Sequence, residues 1–486
     1  MHDAPASAEE SSRATNVHAG GGAPASPSVA RVAAGGERWD AWLAFALALL
    51  VLAAPAGLRD LWDADEGRYA AVALDMRRSG DYVTPRQDGM RFVDKPPLVY
   101  WAENLAFTAF GTNAFAARLP CVVAGAAFAA LAFLFARRLT GRRLAAFAAA
   151  GVCATSLSGV GFARTVTMDM PLAAAIAGSL WFGLDALRGA GLPARVGLGA
   201  CVGIGLLAKG PLGVAVPAFV ALAWGVVGVR WGALLRVLFS PVAWAVALAI
   251  AAPWYALMER ANPGYLHHFL VYEHFGRYAE KGTRDFAPVW LYVAVLPWFL
   301  LPWTFLLWRA RVREPALAGR RGAVSGERLL WAWVVACLVF YSGGKNRLFT
   351  YILPAALPLF VLAGARLATL VEARRERAVA WWLFACGVVV AGAGWQVAAG
   401  LFDRIGAPPT GDDRLRAIGW PLVVAAVPLL LAPVLVRLRA IATPARTAGA
   451  LFACAAVFFA GVDAAAARAD PLRSARELSG LSLIHI

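Results

Sequence analysis

The chain has 486 residues, of which 60% are Ala, Val, Ile, Leu, Met, Phe, Trp, Tyr or Cys and only 16% are Asp, Glu, Lys or Arg. A soluble domain is about half apolar and about a quarter charged, so an ordinary soluble enzyme and a disordered chain are both excluded. The formal net charge is +16, but the arginines fall in short clusters between long apolar runs, as in a polytopic membrane protein and unlike a nucleic-acid-binding surface.

Residues 1–38 are rich in Ala, Ser, Gly and Pro and have no apolar core. They are predicted to be a disordered cytoplasmic tail. The apolar run 41–58 then acts as a signal anchor and opens a transmembrane domain over 39–465. Twelve more candidate spans follow, near 115–135, 144–160, 170–187, 193–208, 212–229, 237–257, 289–308, 329–341, 349–368, 379–399, 419–436 and 447–465. The predicted fold is an all-α polytopic membrane protein with about thirteen transmembrane helices. With the N-terminus inside, the arginine-rich loops 137–143, 188–195, 230–236, 309–328, 369–378 and 437–446 are cytoplasmic. The loops 59–114, 158–169, 209–211, 258–288, 342–348 and 400–418 lie outside and hold most of the Asp and Glu. In the first outer loop, the stretches around 70–76 and 98–110 are predicted to be short interfacial helices, with Gly80 and Pro85 as breakers between them. The six Cys lie in apolar stretches without metal-ligand or disulfide spacing, so they read as small buried hydrophobes.

Polar clusters recur on the outer side. Asp63, Asp65 and Glu66 stand just beyond the first span with Arg68 and Tyr69. Carboxylates at a membrane face are costly unless hydrated, paired or used, and one of them can accept a proton from a nucleophile. The plainer reading is a solvated loop start with Arg68 as a salt-bridge partner. Asp94-Lys95-Pro96-Pro97 holds a cation where two prolines fix the backbone. Such a Lys can meet a lipid phosphate or simply snorkel to the interface. Arg164 and Asp169 precede the fourth span, where the plainer reading is an Arg–Asp pair that pins the loop. Lys209 sits at a Gly-Pro turn.

Three of the six His, His267, His268 and His274, fall within eight residues, together with Glu273, Arg277 and three Tyr. His267 or His268 with His274 and a carboxylate is a candidate ligand set for a divalent ion, although the spacing matches no tight metal signature. Phosphate binding by imidazole and guanidinium is the alternative. Tyr341-Ser342-Gly343-Gly344-Lys345-Asn346-Arg347, followed by Thr350 and Tyr351, adds a tight turn with two cations. Together, Lys95, Lys209, Arg277, Lys345 and Arg347 around Asp65 and Asp169 suit a lipid phosphate or pyrophosphate.

These clusters, in this order, resemble the C-type membrane-embedded glycosyltransferases. That superfamily includes protein O-mannosyltransferases and the transferases that add aminoarabinose to lipid A, and the likeness is greatest to the latter branch. The carrying motifs are Leu-Trp-x-x-Asp-Glu-x-Arg-Tyr-Ala at 61–70, Lys-Pro-Pro-x-x-Tyr-Trp at 95–101, Arg118-Leu119-Pro120, and Arg164 with Asp169-Met170. Further carriers are Glu273-His274 with Arg277, and Tyr341-Ser342 with Lys345 and 350–354.

The resemblance implies a sugar donor on undecaprenyl phosphate, with aminoarabinose as one candidate sugar. It implies lipid A or another extracytoplasmic glycolipid or glycan as acceptor, and a location in the cell inner membrane with the active site on the extracytoplasmic side. It implies Asp65 as the catalytic carboxylate with Asp169 beside it, and Glu66 as a further candidate. Lys95 and Arg277 would hold the carrier phosphate, helped by Lys345, with Tyr351 lining the pocket and Lys209 and Arg347 as additional cations. Some relatives bind a divalent ion near the Lys-Pro-Pro motif through an acidic residue, typically Glu, and a His. The resemblance implies Asp94 for the former here and one of the three His, with His268 and His274 as candidates, for the latter. Residues 466–486 look like the truncated start of an extracytoplasmic C-terminal domain. The competing classes are a polyprenyl-lipid flippase or transporter, and a protein O-mannosyltransferase-like enzyme with a protein acceptor. A flippase has no need of carboxylates beside a leaving phosphate.

Overall fold

The structure is a computed structural model and describes residues 27–62, 65–276, 288–308, 325–399, 413–438 and 443–469. The chain divides into Met1–Asp40 and Ala41–Ile486. Helix α1, Pro27–Ala53, starts inside the segment predicted to be a disordered tail. A proline at the first helical position leaves no hydrogen bond unmade, and the alanines that follow favour the helix.

The first loop carries α2 (Asp65–Ser79) and α3 (Leu98–Phe110). Helix α3 lies where the sequence placed it, and α2 begins five residues earlier than expected. Between them, strands β1 (Arg86–Gln87) and β2 (Met90–Arg91) pair antiparallel. Asp88 and Gly89 turn this hairpin, with φ of 53° and 76°, the positive values that a two-residue turn needs. One apolar cluster joins α2 and α3 through Tyr69, Val72, Met76, Tyr100 and Phe107, and takes in Val166 and Met168.

The membrane bundle begins with α4 (Ala114–Thr140), capped by Asn113, whose side chain accepts from the Ala116 N–H at 2.9 Å. Gly141 ends it in the left-handed conformation. Helices α5 (Arg143–Ala154) and α6 (Leu157–Ala163) form one path bent by 57°. Thr155 and Ser156 make the break, and Ser156 caps α6 by accepting from Gly159. Helices α7 (Asp169–Leu187) and α8 (Gly191–Lys209) are joined by a short turn containing Gly189, which brings Asp169 and Lys209 to the same end. The chain continues through α9 (Leu212–Val226), α10 (Trp231–Leu238) and α11 (Pro241–Ala261). The segment Tyr265–His267 then runs into a π-helix, His268–Gly276. Helices α12 (Leu291–Phe299), α13 (Phe305–Trp308) and α14 (Gly326–Gly343) lead through a 3-10 turn, Phe349–Ala355, to α15 (Ala356–Glu372). Helices α16 (Arg377–Ala398), α17 (Asp413–Arg437) and α18 (Pro444–Ala466) complete the bundle.

Among the described residues, eight helices are long and apolar enough to cross a membrane, or nine with the bent pair taken as one span. The sequence suggested thirteen. Several of those runs do not fold as single long helices: 212–229 folds as a shorter helix, and 289–308 as two short helices, α12 and α13, with Pro302 between them. Helix α15 is the most deeply buried of the eight. Its Gly364 lies against the Ala149 backbone of α5, where an added Cβ would stand 2.3 Å from the Ala149 nitrogen. Small residues permit this close approach between helices in lipid. Gly364→Ala is expected to destabilise the bundle by about 1–3 kcal/mol through overpacking, read as a lower melting temperature in detergent.

Candidate active site

The first-loop helices dock through a buried ion cluster. The Glu66 side chain is only 3% exposed. Arg118 donates Nε to its Oε1 at 2.8 Å and Nη2 to its Oε2 at 3.0 Å. Arg59 donates to Oε2 at 2.6 Å. The Trp62 and Val166 amides each add a hydrogen bond at 3.1 Å. Arg118 also donates to the carbonyls of Ala56, Arg59 and Asp60 and so closes the turn after α1. Burial works against the Glu66 charge, yet the Arg118 and Arg59 guanidiniums outweigh it and hold the carboxyl below its ordinary range. Both oxygens are committed to this clamp, so Glu66 leaves the set of candidate catalytic carboxylates.

Arg164 extends the framework. It donates Nε to Leu52 O at 3.1 Å and Nη2 to Val51 O at 2.7 Å, and it pairs with Asp463 of α18. The expected Arg164–Asp169 pair is therefore replaced by two others, because Asp169 pairs with Lys209 at 2.5 Å. Asp169 opens α7 and Lys209 closes α8, so each charge also suits its helix terminus.

Lys209 lies 4.6 Å from the centre of the Tyr351 ring. Both residues line an open cavity with Asp94, Lys95, Pro96, Glu273, Tyr341, Gly344 and Asn346. Four segments far apart in sequence thus converge on one space: the Lys-Pro-Pro turn, the end of α8, the π-helix, and the stretch from the end of α14 to the 3-10 turn. Lys95 donates to the Asp94 carbonyl at 3.2 Å.

Asp65 begins α2 with its side chain 61% exposed and ion-paired to Arg68 one turn later. Tyr69 follows on the same helical face and is buried. Burial pushes the Tyr69 hydroxyl above its ordinary range, and Asp65 pushes it the same way while Arg68 and Lys209 oppose. Tyr69 thereby stays neutral. Its ring lies 6.3 Å from that of Tyr100 and 6.5 Å from that of Phe92.

The remaining expected cations are placed differently. Lys345 is exposed, and Arg347 donates to the Ser342 carbonyl at 3.1 Å, bracing its own turn. Gly344 and Asn346, which alternate with them, reach the cavity instead. Arg277 lies outside the described residues, as does the His274 side chain. His268 stands 3.9 Å from Glu273. Among the described residues, no group of three His, Cys, Asp or Glu is arranged to hold a metal ion. The proposed ligand set of Asp94, His268 and His274 includes a side chain outside the described residues. Sequence reasoning gave no site role to Tyr69, Tyr341, Asn346 or Glu273. All four fall in stretches singled out for their neighbours.

The helical bundle with a folded first loop, and the cations and carboxylates gathered beside that loop, define the C-type architecture of membrane-embedded glycosyltransferases. Residues 94–256 match the family model described as dolichyl-phosphate-mannose-protein mannosyltransferase. Within that class the chain is a relative of the undecaprenyl phosphate-alpha-4-amino-4-deoxy-L-arabinose arabinosyl transferases. It is 32% identical over 354 residues to the second such protein of Pseudomonas fluorescens, covering 71% of this chain and 62% of that one. It is 35% identical over 329 residues to the one from Edwardsiella ictaluri, covering 66% and 58%. The chain thus spans about three fifths of the length of these curated relatives. The crystal structure of ArnT from Cupriavidus metallidurans bound to undecaprenyl phosphate superposes with a TM-score of 0.71 at 28% identity, covering 87% of this chain and 77% of that one. The apo form of the same protein gives 0.68.

Proposed function

We propose that this protein transfers a sugar, with aminoarabinose the favoured candidate, from undecaprenyl phosphate to lipid A or another extracytoplasmic acceptor. The reaction takes place on the outer face of the cell inner membrane. The observation that carries this reading is the cavity in which Lys95, Lys209 and Tyr351 converge beside Asp169. In the reaction, the acceptor oxygen bonds to the sugar C1 as the bond from C1 to the phosphate oxygen breaks. The carrier leaves as undecaprenyl phosphate, and Lys95 with Lys209 stabilises its developing charge. Asp65 accepts the proton of a hydroxyl acceptor or stabilises positive charge at C1, and Asp169 holds Lys209 in place. Arg277 is assigned to the same phosphate.

Lys95→Ala is expected to raise the KM for the donor about 10- to 100-fold, as befits loss of a charge-assisted contact worth about 1.5–3 kcal/mol. The fall in kcat is expected to be smaller. Steady-state kinetics over a donor titration checks this. The test against a flippase is chemical. Donor incubated with protein and acceptor releases undecaprenyl phosphate under the transferase reading, and remains intact on either leaflet if the protein only moves lipid.

A further inference from the structure

A second cavity lies away from the site just described. It is a groove of about 1390 Å³ between α1, α5 and α18, lined almost wholly by Ala, Gly, Leu, Val and Phe, with the cation Arg143 at one end. The groove follows α5 from Arg143 to Ala154 and α18 from Ala445 to Ala456. Each stretch rises about 17 Å at 1.5 Å per residue, roughly the depth of one leaflet in a hydrocarbon core of about 30 Å. The Arg143 guanidinium lies 5.5 Å from the Phe147 ring centre, at the mouth of the groove. That end belongs to the α4–α5 turn. The Arg118–Glu66 clamp of the catalytic side sits near the other end of α4, about 33 Å away by helix rise.

We propose that this groove binds one acyl chain of an anionic glycerophospholipid, with the lipid phosphate at Arg143, in the leaflet opposite the reaction. The length argues for an acyl tail, the apolar lining argues for the hydrocarbon, and the terminal cation argues for an anionic headgroup. The bound lipid packs α18 against α5 and α1. The proposal is independent of sugar transfer.

The test uses full-length protein extracted into detergent, loaded with phosphatidylglycerol or phosphatidylcholine, and examined by native mass spectrometry. Wild type retains one phosphatidylglycerol per chain in preference to phosphatidylcholine. Arg143→Gln reduces that preference about fivefold, the effect of about 1 kcal/mol per basic group near the membrane surface. Gly449→Phe abolishes retention of both lipids. A Cβ at Gly449 meets nothing within 4 Å, and Gly449 lines the groove, so a larger side chain there occupies the groove. A thermal melt checks that Gly449→Phe is folded, and if it is not, the Arg143→Gln preference decides alone. Equal retention of the two lipids by wild type, unchanged retention in folded Gly449→Phe, or an unchanged preference in Arg143→Gln overturns the proposal. So does occupancy by undecaprenyl phosphate or by a second copy of the chain.

Discussion

Asp65→Asn is expected to lower sugar transfer by about 10²–10⁴-fold, the range for loss of a positioned acid or base. Donor binding and melting temperature are expected to change little. Asp65 is largely exposed at the first turn of α2, and its described ion pair is with Arg68 beside it. A surface pair of this kind contributes little to stability, so the loss would be chemical. The comparison with Lys95→Ala is diagnostic. Lys95 lines the polar cavity and, if it holds the donor phosphate as proposed, should act mainly on KM, whereas Asp65 should act on kcat. Single-turnover measurements at saturating donor separate the two.

Glu66→Gln, one residue along, is expected to behave in the opposite way. It should cost about 3–5 kcal/mol of stability, because it leaves the buried Arg59 and Arg118 guanidiniums without their carboxylate. Inactivity of this variant would follow from the loosened first loop. The same cluster sets an acid limit. The folded-state carboxyl is held below its ordinary value of 4.5. The clamp's contribution is therefore complete above that value and is lost as pH falls through the lowered one. Melting temperature measured against pH should fall on acidification below about 4.5 in wild type. In Glu66→Gln that part of the dependence should be missing.

The pair Asp65 and Glu66 shows where sequence reading ends. Both belong to one acidic motif, and both were candidates for chemistry. Their separation depends on Arg118, 52 residues away, and on Arg59 and the Val166 amide, which reach Glu66 and not Asp65. No local spacing encodes that. The Lys209–Asp169 pair was partly legible: both residues flank spans predicted to end at the same depth, but their contact comes from the packing of α7 on α8. Helix α3 was legible because its signals are local, with Pro96-Pro97 before it and Gly111 after it at a φ of 78°. The Asp-Gly pair at 88–89 is an equally local turn signal. The internal breaks of the spans were less legible: 144–160 bends at Thr155–Ser156, and 289–308 folds as two short helices either side of Pro302.

The central claim is that this fold moves a sugar from undecaprenyl phosphate to an extracytoplasmic lipid. The most direct measurement incubates purified protein in liposomes with undecaprenyl-phosphate aminoarabinose and lipid A, and weighs the acceptor by mass spectrometry. The account predicts a gain of one aminoarabinose with wild type and its loss with Asp65→Asn. Transfer at full rate by Asp65→Asn, or intact donor after incubation with every sugar and acceptor offered, would contradict it.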